Sequence, residues 1–202
     1  IVTSALGAAG EVAIASLIKR APLASSLAQS FAAQGFRLAL VGGPVRDALL
    51  GRLGNDLDFT TDARPEVTKK ILQGWAENVW DTGIEFGTVA GKRGDTTVEV
   101  TTYRTESYDP DSRKPEVEYG DSIEGDLSRR DFTVNSMALE LTTKIPEFID
   151  PFNGLEDLAK RVLRTPAKAE NSFSDDPLRM MRAARFASQL GFTPVVDVLL
   201  AA

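Results

Sequence analysis

The stretch LALVGGPVRDALLGRLGNDLDFTT, residues 38–61, decides the fold of this chain. It starts with a short, wholly apolar run from Leu38 to Val41, which is typical of a strand covered on both faces. A Gly-Gly pair then breaks the strand, and Pro44 opens a brief helix, since proline is favoured in the first turn of a helix. Residues 56–61 alternate polar and apolar side chains, which predicts a second strand.

The sequence on either side of this stretch predicts further helices and strands, and therefore an α/β (α+β) fold. Helical patterns cover residues 22–34, 65–77 and 177–190, and strand patterns cover residues 86–92, 96–103 and 137–141. Ser128 and Asp131 have the spacing of a capping box, which predicts a further short helix beginning there. The stretch from Glu106 to Gly120 is polar and aperiodic and contains prolines, so we expect a mobile loop.

The composition excludes several kinds of catalytic chemistry. The chain has 202 residues and contains no Cys and no His, so disulfides, thiolate metal sites, cysteine nucleophiles and histidine bases are absent. Carboxylates remain as the strong candidates for catalysis or metal binding. Their oxygen atoms favour Mg²⁺ or Mn²⁺ over zinc.

The charge and hydropathy patterns suggest where the protein acts. No apolar run reaches the ~20 residues of a membrane span, and Glu11 interrupts the apolar N-terminal residues, so we expect a cytoplasmic protein without a membrane partner. The net charge of −6 argues against this piece alone binding nucleic acid strongly. The sequence does not indicate an oligomeric state.

The acidic pair on the second strand is the first candidate site. Asp56 and Asp58 project from the same face of a strand, so both can hold the same cations. This arrangement suits phosphoryl transfer by two metal ions about 3.5–4 Å apart. Gly42 and Gly43 precede a helix, where backbone N–H groups can hold a triphosphate, and Arg46 would add a mobile positive charge. The alternatives are solvated surface acids and a turn required by packing.

Two further segments are candidates, each with an ordinary structural alternative. Glu99 lies on an alternating strand and could act as a third carboxylate, or it could be an exposed acid on an edge strand. In the Arg129-Arg130-Asp131 segment, an arginine could bind a triphosphate and the aspartate a ribose hydroxyl. The alternative is the start of a surface helix.

A line of charged residues follows near the end of the chain. Its members are three or four residues apart, so we expect them along one side of a helix, either at a binding site or as intrahelical ion pairs. The line consists of Asp175, Asp176, Arg179, Arg182 and Arg185.

Taken together, these segments closely resemble the family of class II tRNA nucleotidyltransferases and bacterial poly(A) polymerases. The matching motifs are LVGGPVRD (40–47), DLD (56–58), EVTTYR (99–104), DLSRRDFTVN (126–135) and DDPLRMMRAARF (175–186). The resemblance implies a polymerase-β-like nucleotidyltransferase head with a small mixed sheet and helices on one side, followed by the start of an all-helical neck. We therefore expect an N-terminal helical segment at 1–35, the head at 36–165 and the neck at 166–202.

The resemblance also implies roles for the candidate residues in the head. Asp56 and Asp58 would hold two Mg²⁺ ions. Gly43, with Gly42 beside it, and Arg46 and Arg130 would contact the triphosphate, and Asp131 would contact the ribose.

The neck residues would select the base, according to the same resemblance. Asp176 and Arg179 would pair with cytosine or adenine, which both present an amine donor beside a ring nitrogen acceptor, whereas guanine and uracil present the reverse order. Arg182 and Arg185 would lie near the nucleotide. The family's neck motif usually begins with Glu, and here Asp175 stands in its place, a shorter acid that would brace the helix differently.

The expected activity is the addition of CMP and AMP, from CTP and ATP, to the 3′ end of tRNA. A poly(A) polymerase, or an enzyme adding only CC or only A, would carry nearly the same motifs. A nucleotide-binding module that has lost turnover is the alternative from another class of function. Because the family's tRNA-binding body would follow Ala202, we expect these residues to bind nucleotide with Mg²⁺ but to extend tRNA poorly.

Overall fold

The computed structural model describes residues 7–107 and 116–202. The α-helices are α1 (Gly7–Arg20), α2 (Pro22–Ala32), α3 (Gly43–Leu49), α4 (Pro65–Trp75), α5 (Ile123–Ser128), α6 (Gly154–Lys160), α7 (Ala169–Asp175), α8 (Leu178–Leu190) and α9 (Val196–Ala201). The strands are β1 (Leu38–Val41), β2 (Asp56–Thr61), β3 (Asn78–Trp80), β4 (Thr88–Arg93), β5 (Thr96–Thr102), β6 (Arg104–Ser107), β7 (Glu116–Tyr119), β8 (Ala138–Glu140), β9 (Glu147–Ile149), β10 (Val162–Leu163) and β11 (Thr193–Pro194). Short 3-10 helices cover Ile84–Phe86 and Thr133–Asn135.

A seven-stranded mixed sheet organises the chain, in the order β3-β4-β5-β2-β1-β8-β9. Strands β2 and β5 are parallel, and the other neighbours in the sheet are antiparallel. The predicted α/β fold with a mixed sheet is confirmed. No helix within the described ranges is long and apolar enough to cross a membrane.

The two faces of the sheet have different environments. On one face, Leu40 pairs in register with Phe59, and both belong to the main hydrophobic core formed with helices α1 to α4. On the other face, Ala39 and Val41 pack with residues of α5 in a small second core. The polar residues of β2 and β5 also point to this second face, because side chains alternate along a strand. The second face therefore carries the acids of the candidate site.

The sequence pattern was wrong in two places. Ser128 does not begin a helix, because it is the last residue of α5, and the N-cap is Ser122, whose side chain accepts a hydrogen bond from the Gly125 N–H. The loop expected over 106–120 contains parts of a hairpin, since β6 pairs with β7. Residues 108–115 of that loop lie outside the described residues.

Three helices, α7 to α9, follow residue 166, and a short pair of parallel strands joins this part of the chain to the preceding part. Strand β10 lies before this boundary and β11 after it. Helix α8 ends at Gly191, which has a left-handed φ of 67°. Both the N-terminal segment and the boundary near 166 stay predictions.

Candidate active site

One cavity gathers most of the predicted site residues. Its volume is about 1510 Å³, and it lies over the second face of the sheet, between the glycine turn, β2, β5, the segment after α5 and the start of α8. Predicted residues that line it are Gly42, Gly43, Arg46, Asp58, Glu99, Arg129, Arg130, Asp131, Asp175, Asp176, Arg179, Arg182 and Arg185. Asp56 is exposed and is not among the lining residues.

The glycine pair lines the cavity at the end of β1. Gly42 has a φ of 71° and a ψ of −137°, a backbone conformation that residues with a side chain rarely adopt. A β-carbon at this position would lie 3.0 Å from Arg130 Nη1. The absence of a side chain thus lets the Arg130 guanidinium lie directly against the turn.

The acids of β2 and β5 lie side by side. Asp58 is the register partner of Glu99 in the parallel pair, and both side chains line the cavity. Burial raises the pKa of Asp58, and the negative charges of Glu99 and Asp56 raise it further, against the opposing effect of Arg130. Strand β5 is internal to the sheet, so the alternative that Glu99 stands on an edge strand is wrong.

Arg46 is fixed in place, so the prediction of a mobile charge was wrong. Its residue surface is only 7% exposed, and Nη1 donates to Asn135 Oδ1 at 2.6 Å. Nε donates to Asp47 Oδ1 at 2.9 Å, and the guanidinium carbon lies 5.3 Å from the centre of the Phe186 ring. Its partners lie on α3, on the second 3-10 helix and on α8. The sequence of α3 alone therefore could not predict that Arg46 is held in place.

Asp126 supports the two consecutive arginines after α5. Its side chain is fully buried and accepts from Arg129 Nε and Nη2 at 3.1 and 3.0 Å, and from Arg130 Nη2 at 3.2 Å. Burial alone would raise the pKa of Asp126, but the positive charges of Arg130 and Arg129 outweigh burial and hold it below its ordinary value. The carboxylate is therefore an ionised counterion that orients Arg130 towards the cavity.

Asp131 is a buried acid with distinct partners on its two oxygens. Oδ1 accepts from the Phe132 N–H at 2.8 Å and from Asn135 Nδ2 at 3.0 Å. Oδ2 lies 2.8 Å from Arg182 Nη2 as an ion pair, without the angle of a hydrogen bond. Oδ2 thus keeps capacity to accept a hydrogen bond from a ligand in the cavity.

The charged line near the end of the chain does not lie on one helix. Asp175 ends α7, whereas Asp176 is extended and lies between α7 and α8, where its Oδ1 accepts from the Leu178 N–H at 3.0 Å. Arg179, Arg182 and Arg185 do follow one another along α8. The expectation of a single helical line was therefore wrong for the two acids, because Pro177 starts a new helix after them.

The arginines of α8 differ in how firmly they are held. Arg179 is 9% exposed, and its guanidinium donates to Ser172 Oγ and to the carbonyl oxygen of Arg129. The Arg182 side chain is 47% exposed and forms an ion pair with Asp131. Arg185 is exposed, with its guanidinium carbon 5.1 Å from the centre of the Phe186 ring.

Four contributors to the site were not singled out from the sequence. They are Arg104, Asp126, Asn135 and Phe186, and each lines the cavity or binds a residue that does. Asp126 carried a usable signal, since an acid three and four residues before two arginines on a helix predicts ion pairs. For Asn135 and Phe186 the pattern gave no signal, because their partners are distant in the sequence.

A comparison with family models matches residues 38–164 to the poly A polymerase head domain. Among curated proteins, the chain is 48% identical over 161 residues to the CCA-adding enzyme of Enterococcus faecalis, and this match covers 79% of the chain and 38% of the relative. It is 44% identical over 176 residues to the CCA-adding enzyme of Lactobacillus helveticus, with 87% of the chain and 41% of the relative covered. The chain thus spans about two fifths of the length of these relatives.

Solved structures give the same relationship. The Bacillus stearothermophilus CCA-adding enzyme in complex with CTP superposes with a TM-score of 0.74 at 39% identity, covering 88% of this chain and 41% of that one. A tRNA nucleotidyltransferase complexed with a primer tRNA and an incoming ATP analog gives a TM-score of 0.72 at 35% identity, covering 87% and 48%. The family model alone spans more than half of the chain, and so this protein belongs to the poly A polymerase head domain family.

Proposed function

We propose that this chain is the nucleotide-binding and catalytic part of a tRNA nucleotidyltransferase that adds CMP and AMP, from CTP and ATP, to the 3′ end of tRNA. One observation carries the proposal. A single cavity is lined by the glycine turn, by the adjacent carboxylates of Asp58 and Glu99, and by the Asp176 and Arg179 side chains. The CCA-adding relatives share this part of the chain.

The triphosphate would lie between the glycine turn and the arginines. Arg130 lies against Gly42, and its buried Nε has no hydrogen-bond partner within the described part of the chain. An unpaired buried donor costs about 1–3 kcal/mol, so a phosphate oxygen at this point would remove a penalty as well as add a bond. Arg46, fixed beside Gly43, would add a second positive charge.

The acids suit a divalent cation, which nucleotidyltransferases of this family generally use. Asp58 is partly buried beside Glu99 and Asp56; its burial raises its pKa, and the negative charges of these two acids raise the pKa further, against the effect of Arg130. In the described residues, no group of three or more acids is arranged to hold a metal by itself. We therefore propose that Asp56 and Asp58, together with the oxygens of a bound triphosphate, would hold Mg²⁺. When bound, two such ions supply charge stabilisation for phosphoryl transfer and lower the pKa of the attacking hydroxyl.

The sugar and base would lie further along the cavity. Asp131 Oδ2 keeps capacity to accept a hydrogen bond, as a ribose hydroxyl would donate. Asp176 and Arg179 would offer an acceptor and a donor to the base edge, which suits cytosine and adenine but leaves both groups unpaired against uracil or guanine.

The first test is nucleotide binding by the 202-residue chain. Each of the four nucleoside triphosphates is titrated with Mg²⁺, and we expect CTP and ATP to bind more tightly than UTP and GTP. Asp58→Asn should abolish the part of CTP affinity that depends on Mg²⁺. Asp95→Asn, an exposed acid in the turn between β4 and β5, is the matched control and should bind as the wild type does. Equal binding of all four nucleotides would contradict the proposal.

The second test is transfer. Labelled CTP and ATP are incubated with tRNA lacking its CCA end, and sequenced product ends should show C, C and A, added slowly and lost in Asp58→Asn. Runs of A alone would indicate a poly(A) polymerase, and addition of only CC or only A a partial enzyme. Nucleotide binding without any transfer would favour a silent binding module.

A cytoplasmic location stays a prediction of the sequence.

A further inference from the structure

The guanidinium of Arg179 is held at two fixed points before any base reaches it. Nη1 donates to Ser172 Oγ at 2.8 Å, with the Ser172 carbonyl oxygen at 3.5 Å, and Nη2 donates to the carbonyl oxygen of Arg129 at 2.6 Å. Ser172 is 3% exposed and Arg179 is 9% exposed, so neither side chain is free to reorient in solvent. Two restraints on different nitrogens, one from α7 and one from the segment after α5, would fix the orientation of the guanidinium.

These two bonds leave part of the arginine available. An arginine has five N–H donors, and the bonds to Ser172 and Arg129 use donors on Nη1 and Nη2. The Nε–H faces Asp176, whose Oδ2 lies 3.8 Å from Nε, beyond hydrogen-bond distance. The edge of the guanidinium nearest to Asp176 therefore keeps donors for a ligand.

Asp175 does not provide this restraint. It occupies the position where the family motif usually carries Glu, and its side chain is exposed at the end of α7. Within the described part of the chain, the Asp175 carboxylate forms neither a hydrogen bond nor an ion pair. Ser172, one helical turn earlier on the same helix, is the residue that contacts Arg179.

We propose that Ser172 is a positioning residue for base selection: its hydroxyl fixes the Arg179 guanidinium in the orientation that pairs with cytosine and adenine. This inference rests on the proposed function, in which Arg179 contacts the base. A serine hydroxyl has two acceptor lone pairs besides its one donor, and here one of them accepts from the buried arginine at 2.8 Å. Without this hydroxyl, Nη1 would keep only the long contact of 3.5 Å with the Ser172 carbonyl oxygen, and the guanidinium would be held mainly at Nη2.

The test compares nucleotide preference rather than stability. Dissociation constants for CTP, ATP and UTP are measured with Mg²⁺ on the wild-type chain and on Ser172→Ala. Because the guanidinium loses a hydrogen bond that orients it, we expect CTP and ATP to bind about tenfold more weakly, or about 1.4 kcal/mol, while UTP changes little. Ser26→Ala is the matched control. Ser26 Oγ also accepts a partly buried hydrogen bond, from Trp75 Nε1 at 3.0 Å, but it does not line the cavity. It should leave the preference unchanged.

A second pair of variants separates the hydroxyl from the shape of the side chain. Ser172→Thr and Ser172→Val have nearly the same volume but differ in the hydroxyl. We expect the Thr variant to keep the preference for CTP over UTP and the Val variant to lose about tenfold of it. This pair decides the question even if Ser172→Ala does not fold.

The outcomes distinguish this inference from the proposed function. A wild-type chain without preference for CTP and ATP over UTP would overturn the proposed function. A wild-type preference that survives in both Ser172→Ala and Ser172→Val would overturn only the role of Ser172. Equal weakening of all three nucleotides would overturn it as well, since that result is typical of a structural role.

Discussion

Replacing Asp126 with Asn should both destabilise the protein and weaken nucleotide binding. The Asp126 side chain is 0% exposed and makes three close contacts with arginine nitrogens, at 3.0 and 3.1 Å to Arg129 and 3.2 Å to Arg130. Asn keeps the shape and one acceptor oxygen but removes the negative charge. The two arginine side chains are only 16 and 17% exposed, so water compensates poorly for the loss of this counterion.

The magnitude follows from the burial of the charges. Removing one partner of a buried ion pair costs about 3–5 kcal/mol, because the remaining charge stays buried without compensation. For a protein of this size each kcal/mol shifts the melting temperature by about 2–4 °C, so we expect a fall of roughly 6–20 °C. Urea denaturation at pH 7 measures the free energy directly. Asp81→Asn is the control, since its ion pair with Lys69 is exposed and should change the stability very little.

Asp126→Asn should also change the pH dependence of the stability and the affinity for CTP. Because the pKa of Asp126 is depressed in the folded protein, its stabilisation is present at neutral pH and is lost as the pH falls through that lowered pKa. The Asn variant should lack this acid-sensitive part of its stability. CTP affinity should fall about tenfold, since Arg130 loses the bond that directs it to the cavity. A variant that melts at the wild-type temperature, or that binds CTP normally, would refute this account of Asp126.

Three further predictions concern packing, ionisation and the hydrogen bonds of the site. Gly154→Ala would place a methyl group against a carbonyl oxygen of the second 3-10 helix and should lower the free energy of unfolding, measured by urea denaturation, by about 1–3 kcal/mol. Gly74→Ala is its control, because a methyl group there would point into open space on α4 and should not destabilise the protein. Because burial and neighbouring acids raise the pKa of Asp58, Mg²⁺-dependent CTP binding should begin to weaken, as the pH is lowered, at a higher pH than an ordinary aspartate would give; a midpoint in the ordinary aspartate range would contradict this. Asn135→Leu removes the bond to Arg46 and should weaken CTP binding about tenfold by calorimetry; unchanged affinity would show that Arg46 needs no such support.

Local pattern was sufficient for the part of the fold that carries the glycine turn. Strand β1, the turn, α3 and β2 all occur where the sequence predicted them. Apolar runs, glycines and alternating side chains act over a few residues, so they can be recognised without knowing the rest of the chain. The hairpin of β6 and β7 was not recognised in this way, because β6 is polar throughout and the alternation of polar and apolar residues in β7 covers only four residues.

The sequence pattern did not predict which distant segments contact one another. Glu99 was open to an edge-strand interpretation because the parallel pairing of β2 with β5 is not encoded in either strand alone. Arg46 was expected to be mobile because its main partner, Asn135, is 89 residues away. In both cases the candidate residue lines the cavity, and its environment depended on tertiary packing.

The hydrogen bonds of the site join parts that the sequence presents as separate motifs. Arg46 on α3 donates to Asn135, Asn135 donates to Asp131, and Asp131 pairs with Arg182 on α8. This path crosses from the glycine turn, through the segment proposed to contact the ribose, to the helix that carries Arg179. Because each member restrains the next, a ligand group that binds one of them also restrains the others. If the site binds a nucleotide as proposed, recognition of phosphate, sugar and base would be coupled through contacts that exist before the nucleotide arrives, and the ordering cost at binding would be correspondingly small.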